Sequence, residues 1–372
     1  MPSINTLIIG AGPAGLACAG ALKMRGIDAV VVEKAGAVGP VWRRHYDRLH
    51  LHTPKYHSAL PGLPMPQSYP TYPSRDQVVA YLEDYARHHR IAPVFGAEVR
   101  KVTHTGSCWQ VETRDTGYLA RHVIVATGVA SFPNRADWPG LAAFAGPVSH
   151  SSDYRNPRSF AGQRVLVVGF GNSGGEIALD LAEAGVKTVL SVRGPVNVVP
   201  RDVFGIPAQS FAIAERHLPP QLVDLLNGTI SRLRMGDISQ LGLAPSSKGP
   251  TTQIVEDKRI PLIDIGTLGA IRNGSILVRG GIARFDPSAV HFVSGAPLAV
   301  DAVILATGYK PDLRAMLPAL TNDLDQNGSP KASGQACGRS GLWFCGYSVV
   351  PTGHLREIRL EALAIADAIE TA

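Results

Sequence analysis

Gly10-Ala11-Gly12-Pro13-Ala14-Gly15 and Gly169-Phe170-Gly171-Asn172-Ser173-Gly174 are two copies of one glycine fingerprint, set 159 residues apart. The first follows an apolar run over 6–9, opens a helical stretch through Leu22, and leads into the apolar 29–32 and Glu33. The second follows an apolar run over 164–168 and opens a helix through Ala184, with Arg193 at the place equivalent to Glu33. Glycines there let the chain turn tightly and let backbone approach a pyrophosphate, whose charge meets the exposed N–H groups of a helix N-terminus. A carboxylate at Glu33 suits a ribose diol, whereas a guanidinium at Arg193 suits a 2'-phosphate, so the second nucleotide is expected to be NADP. Two such units predict an α/β chain with two Rossmann-like dinucleotide-binding domains.

Gly171-Asn172-Ser173-Gly174-Gly175 also satisfies the G-x-S-x-G nucleophile elbow, which keeps a flavin-free hydrolase using Ser173 as a distant alternative. Nothing nearby completes a triad for it.

With 372 residues and 45% apolar content, the chain is long enough for two cores. Its 36 basic and 30 acidic residues give +6 without a basic block, which argues against nucleic acid and fits anionic cofactors or substrates. Four cysteines, Cys18, Cys108, Cys337 and Cys345, form no C-x-x-C pair and no metal-ligand spacing. A dithiol reductase is therefore disfavoured, and the thiols suit a reducing cytoplasm. No signal peptide or membrane span is expected, because Pro13, Lys23 and Arg25 interrupt the apolar stretch that reaches Val32. His45, His50, His52 and His57 lack acidic partners, so no metal is expected.

Between 34 and 73 lies an irregular segment rich in Pro, His, Tyr and Arg, too long for an idle connection and expected to cover a ligand. A helix is expected over 76–89, strands over 94–100 and 109–113, and a last helix over 356–369. His122-Val-Ile-Val-Ala-Thr127-Gly128 has a near twin in Ala302-Val-Ile-Leu-Ala-Thr307-Gly308. The pair suggests a chain that leaves the first domain and later returns to it, giving 1–157 with 306–372 for the first domain and 158–305 for the inserted second. The apolar stretch 218–233 reads as a cavity wall or dimer contact before a membrane-surface helix.

Phe144-Ala-Gly146-Pro-Val-Ser-His150-Ser-Ser-Asp-Tyr154 resembles the F-x-G-x-x-x-H-x-x-x-(W/Y/F) pattern of flavin-containing monooxygenases. The segments Tyr46-Asp-Arg48-Leu-His-Leu-His52-Thr-Pro54-Lys55, Ser68-Tyr-Pro-Thr71-Tyr-Pro73, Leu262-Ile-Asp264-Ile-Gly266-Thr267-Leu268 and Ile304-Leu-Ala-Thr307-Gly308-Tyr309-Lys310 are similar to the YUCCA branch, the indole-3-pyruvate monooxygenases of auxin synthesis. That resemblance covers nearly the whole chain. It implies FAD on Gly10, Gly12, Gly15 and Glu33, with Trp42 and Arg43 near the flavin or its phosphates. It implies NADPH on Gly169, Gly171, Asn172, Ser173, Gly174 and Arg193, with Arg201 a weaker phosphate contact.

His52 falls where N-oxygenating members carry asparagine, which favours attack on a carbonyl; Tyr154 and the missing Pro-Gly-x-x-x-Asp continuation after Trp42 depart from Baeyer–Villiger members. The candidate catalytic residues are His52, Trp42 and His150, the last also fitting a backbone-orienting role. The implied activity is oxygenation by a flavin C4a-(hydro)peroxide: oxidative decarboxylation of indole-3-pyruvate or a similar aryl 2-oxo acid, or N- or S-oxygenation of small amines or sulfides. The expected partners are a small-molecule substrate and dioxygen, with a homodimer as a further expectation.

Overall fold

The first apolar run folds as β1 (Ser3–Ile9), whose side chains alternate between two cores: Leu7 and Ile9 face one, Ile8 the other. A strand buried on both faces reads as a continuous hydrophobic run, which is what the sequence carries. The computed structural model describes residues 1–337 and 339–372, with the side chains of 229–233 outside the description. Two units are formed, one from Met1–Arg44, Leu49–Phe132 and Tyr309–Ala372, the other from His45–Arg48 and Pro133–Gly308.

In the first unit β1 is followed by α1 (Pro13–Lys23), β2 (Ala29–Glu33), α2 (Arg75–His88), β3 (Val94–Phe95), β4 (Val99–His104), β5 (Trp109–Thr113) and β6 (Gly117–Val125). The sheet order is β3-β2-β1-β6-β5-β4, and the strand Leu342–Phe344 adds in parallel to β6. β1 is parallel to both β2 and β6, as a nucleotide-binding unit requires. Small residues make α1 a buried helix: a Cβ on Gly20 would stand 2.1 Å from the Tyr85 hydroxyl of α2. Leu16 and Leu22 are fully buried beside it, each contributing about 1.5–3 kcal/mol by leaving water. α2 starts in a capping box, with Ser74 and Gln77 each satisfying the other's backbone N–H. The C-terminal helix His354–Glu370 closes the same core through Leu355, Ile358, Ala362 and Ile365.

The second unit carries β7 (Val148–His150), β8 (Arg164–Val168), α3 (Asn172–Glu183), β9 (Lys187–Ser191), β10 (Ile276–Arg279) and β11 (Ala302–Leu305). They form an all-parallel sheet of order β10-β9-β8-β11-β7. The expected boundaries at 157 and 306 are corrected here. β7 pairs with β11, which carries 133–157 into the second unit, and the chain returns to the first only at Tyr309. β11 and its Ala-Thr-Gly turn are the second unit's own copy of β6 and its turn.

The expected strand over 94–100 is broken into β3 and β4, with Gly96 at φ +72° between them. No helix among the described residues is long and apolar enough to cross a membrane.

Candidate nucleotide sites

Each fingerprint is held by a backbone stop from its own unit. A Cβ on Gly10, where φ is +108°, would stand 2.7 Å from the Ala126 carbonyl oxygen. A Cβ on Gly169, at φ +113°, would stand 2.5 Å from the Ala306 carbonyl oxygen. Only glycine fits either position, since L side chains avoid that φ and no backbone atom can withdraw. The third glycines are equally confined: a Cβ on Gly15 would meet the Gly10 oxygen at 1.8 Å, and one on Gly174 the Gly169 oxygen at 2.1 Å. The middle glycines differ. Nothing lies within 4 Å of a Cβ on Gly12 or Gly171, so these positions leave open space at the helix N-terminus.

Neither Gly12 nor Gly171 offers a side-chain cap to its helix, so the N-terminal N–H groups of α1 and α3 and the positive end of each helix dipole suit a diphosphate. Both cradles therefore fit a dinucleotide.

At the end of β2, Glu33 is buried and its carboxylate accepts from the Ala11 amide (2.8 Å) and the Ala35 amide (2.8 Å). Two of its roughly four lone-pair positions remain for hydroxyl donors. Arg193 stands exposed just beyond β9, and among the described residues no carboxylate pairs with it. Arg201 is engaged by its neighbour Asp202 at 3.0 Å. Asn172 spends its carbonyl oxygen on the Ile263 amide (2.8 Å), tying the start of α3 to the strand Leu262–Asp264. Asp264 in turn accepts from the Leu268 N–H at 3.0 Å, in the first turn of the helix Thr267–Arg272. Ser173 is half-buried with no hydrogen bond to its hydroxyl among the described residues, so no histidine activates it there.

The segment Phe144–Tyr154 is explained by packing. Phe144 belongs to the second unit's core against Phe285. A Cβ on Gly146 would meet the Asp301 carbonyl oxygen at 2.3 Å. His150 is fully buried; its Nε2 lies 3.0 Å from the Gly308 carbonyl oxygen and its Nδ1 accepts from the Ser152 amide at 3.1 Å. Burial pushes this imidazole below its ordinary pKa. The Tyr154 hydroxyl donates to Asp180 of α3 at 2.7 Å, and burial raises both that phenol and the Asp180 carboxyl. The same helix anchors Tyr46, whose hydroxyl donates to Glu176 at 2.8 Å, and Arg48, which pairs with Glu183.

In the first unit, the part of the segment 34–73 from Leu49 onward is pinned rather than loose. Leu51 N–H donates to Pro73 O, Lys55 N–H to Thr71 O, and Arg75 N–H to Leu49 O, each within 2.8 Å. Lys55 Nζ donates to the carbonyls of Pro66 (3.2 Å), Gln67 (2.6 Å) and Tyr69 (2.5 Å). His52 is half-buried in this clamped loop. Trp42, on the short helix Pro40–Arg44, is partly buried against the first core. Arg43 is committed to the Val38 carbonyl (2.9 Å) and to Glu83, so it holds the loop after β2. Among the described residues no group of three His, Cys, Asp or Glu is placed to hold a metal ion.

The clamp by Lys55 and the stops at Ala126 and Ala306 were not foreseen. The twin Ala-Thr-Gly turns were the one sequence signal that pointed toward the latter.

The family described as pyridine nucleotide-disulphide oxidoreductase matches residues 7–202. The chain is 41% identical to the indole-3-pyruvate monooxygenase YUCCA1 of Oryza sativa subsp. japonica, covering 92% of this chain and 86% of that one. It is 40% identical to the indole-3-pyruvate monooxygenase YUCCA6 of Arabidopsis thaliana, covering 84% and 77%. Among solved structures it is similar to a flavin-containing monooxygenase from Stenotrophomonas maltophilia, with a TM-score of 0.74, 26% identity and 99% of both chains covered. A cyclohexanone monooxygenase from Rhodococcus sp. Phi1, at 17% identity and TM-score 0.77, shares the fold over 100% of this chain and 85% of its own.

Proposed function

The chain belongs to the flavin-dependent monooxygenases of the YUCCA type, and from that premise we propose that it uses FAD and NADPH to convert indole-3-pyruvate, or a close aryl 2-oxo acid, to the acid one carbon shorter. In this reaction one 2-oxo acid, one dioxygen, one NADPH and one proton give one carboxylic acid, carbon dioxide, NADP+ and water. The observation that carries the reading is 41% identity to an enzyme of that name across 92% of this chain.

When bound, the two coenzymes supply the hydride and the activation of dioxygen. Gly10, Gly12 and Gly15 with the start of α1 are assigned to the FAD pyrophosphate and Glu33 to its ribose. Gly169, Gly171, Asn172, Ser173 and Gly174 are assigned to NADPH, with Arg193 taking its 2'-phosphate and Arg201 held back by Asp202. Trp42 and His52 are assigned to the flavin's surroundings, where the Lys55 clamp keeps His52 in a fixed loop and so helps exclude water. Arg43 is assigned to loop anchoring, and His150 to positioning the Gly308 turn.

Four free thiols suit a reducing compartment, and a cytosolic location is part of this proposal. Leu222, Leu225 and Leu226, exposed on the helix Pro220–Met235, are offered as a homodimer contact to be read by light scattering; the side chains of 229–233 in this stretch lie outside the described residues.

The experiment is turnover of indole-3-pyruvate under isotopically labelled dioxygen, with mass analysis of the product. One labelled oxygen in indole-3-acetate is the expected result. Failure of 2-oxo acids to stimulate NADPH oxidation, with thioethers yielding sulfoxides, assigns heteroatom oxygenation instead.

A further inference from the structure

Away from the ends of β1 and β6 that carry the first cradle, the first unit has a cavity of about 440 Å³ lined by His104, Ser107, Arg121, His122, Arg339 and Ser340. Arg121, Arg339, His104 and His122 line it together with Ala372, and among the described residues no acidic side chain does. Arg121 spends one N–H on the Ala372 oxygen (2.8 Å), and among the described residues the Arg339 side chain makes one long contact, to the Ala319 carbonyl (3.3 Å).

The wall of the cavity carries an unmet polar group. His122 is 5% exposed, and its Nδ1 has no hydrogen-bond partner among the described residues. Thr6 is the register partner of His122 across the parallel β1–β6 pair, so the two side chains fall on one face of the sheet. Its hydroxyl is also buried without a partner among the described residues. Buried polar atoms in native proteins are nearly always satisfied, and an orphan beside a polar cavity marks where a bound group or water completes the set.

We propose that this cavity is a second, non-catalytic site for a small oxyanion, a phosphate or a carboxylate, held by the guanidiniums of Arg121 and Arg339 with His122 and the serine hydroxyls as further donors. Guanidinium is the side chain best matched to such oxygens, because its parallel N–H groups meet two of them at once. Burial and the neighbouring Arg121 both push the His122 imidazole down, so near neutral pH it serves as a neutral donor while the guanidiniums carry the charge. The site stands on the first unit alone and does not depend on which substrate the enzyme oxidises.

The test is equilibrium binding of inorganic phosphate, and separately of citrate, to the FAD-loaded protein in a buffer free of both. Saturating NADP+ keeps the second cradle occupied. Saturable binding of either anion at one site per chain is expected, weakened about 10-fold or more by Arg339→Gln, as loss of a charge-assisted contact predicts. Arg121→Gln should act in the same direction; if it fails to fold, Arg339→Gln, on an exposed side chain, carries the test. Binding by phosphate alone identifies a phosphate site and by citrate alone a carboxylate site. Absence of saturable binding by both at millimolar concentration, or binding untouched by Arg339→Gln, overturns the proposal.

Discussion

The carbonyl oxygen of Ala126 stands 2.7 Å from the point a Cβ on Gly10 would occupy, and Ala306 stands in the same relation to Gly169 at 2.5 Å. Each nucleotide cradle is therefore shaped by the turn after a neighbouring strand of its own sheet. Gly10→Ala forces a strained φ, costing about 1–3 kcal/mol, together with a backbone clash. The expected result is protein with little bound flavin. Gly169→Ala should keep its yellow colour and lose NADPH-driven flavin reduction, as read by absorbance and stopped-flow reduction. Equal flavin loss in both variants would contradict separate cradles.

Coenzyme choice should rest on Arg193. With no carboxylate paired to it among the described residues, its guanidinium can meet a 2'-phosphate without first breaking an ion pair. Arg193→Ala is expected to raise the KM for NADPH roughly 10-fold or more, about 1.5–3 kcal/mol, while the KM for NADH stays nearly constant. A parallel rise for both coenzymes would assign Arg193 to something other than the phosphate.

His150 should act through position. His150→Leu removes the bond to Gly308 and the one from Ser152, two residues from the stop at Ala306. Net hydrogen-bond values of about 0.5–1.5 kcal/mol each predict NADPH binding weakened roughly 5- to 10-fold, with flavin content intact. Loss of one limb of the kcat pH profile with unchanged NADPH affinity would instead identify His150 as a proton-transfer group.

Stability should fall on mild acidification. Burial pushes both His150 and His122 below the ordinary histidine pKa of about 6.5. Below about pH 6.5 the unfolded chain then binds more protons than the native one, so stability is fully present above that value and declines as pH falls toward the folded pKa values. Urea midpoints at pH 7.5 and 5.5 should show this decline in the wild type and a smaller one in His150→Asn. An identical decline in that variant would remove His150 from the account.

Lys55 should hold the His52 loop in place. Its ammonium serves three carbonyls between 66 and 69, and charged hydrogen bonds are worth about 1.5–3 kcal/mol each at most when burial is partial. Lys55→Met is expected to lower the urea midpoint and to raise the fraction of NADPH oxidised without product, because a loosened loop admits water. Product formation fully coupled to NADPH use in this variant would argue against the loop's sealing role.

Much of the architecture could be read from local pattern. The fingerprints, the strand preceding each and the residue closing each fall within about 25 residues, where spacing alone carries the information. What escaped was long-range. The strand β7 was expected in the first domain, and what puts it in the second sheet is its pairing with β11, far later in the chain. The pairing of Arg43 with Glu83 was not legible, because no local feature announces a partner 40 residues further on. The three carbonyls that take up Lys55 have no residue-type signature at all, since every residue carries one. For His150 the residue type fitted both proton transfer and a backbone-orienting role, and its contacts to Gly308 and Ser152, which favour the second, are long-range or conformational.

The glycine frame and Arg193, the residue proposed to select among nucleotides, differ in how tightly they are held. Gly169 and Gly174 are locked against backbone oxygens, while Arg193 is exposed beyond β9, with Gly281 close to its stem. Substitution at the frame therefore threatens the fold, whereas at an exposed Arg193 it falls on coenzyme affinity. Descendants of this chain can change coenzyme economy through one exposed codon without risking the fold, and an engineer seeking NADH dependence has the same short route.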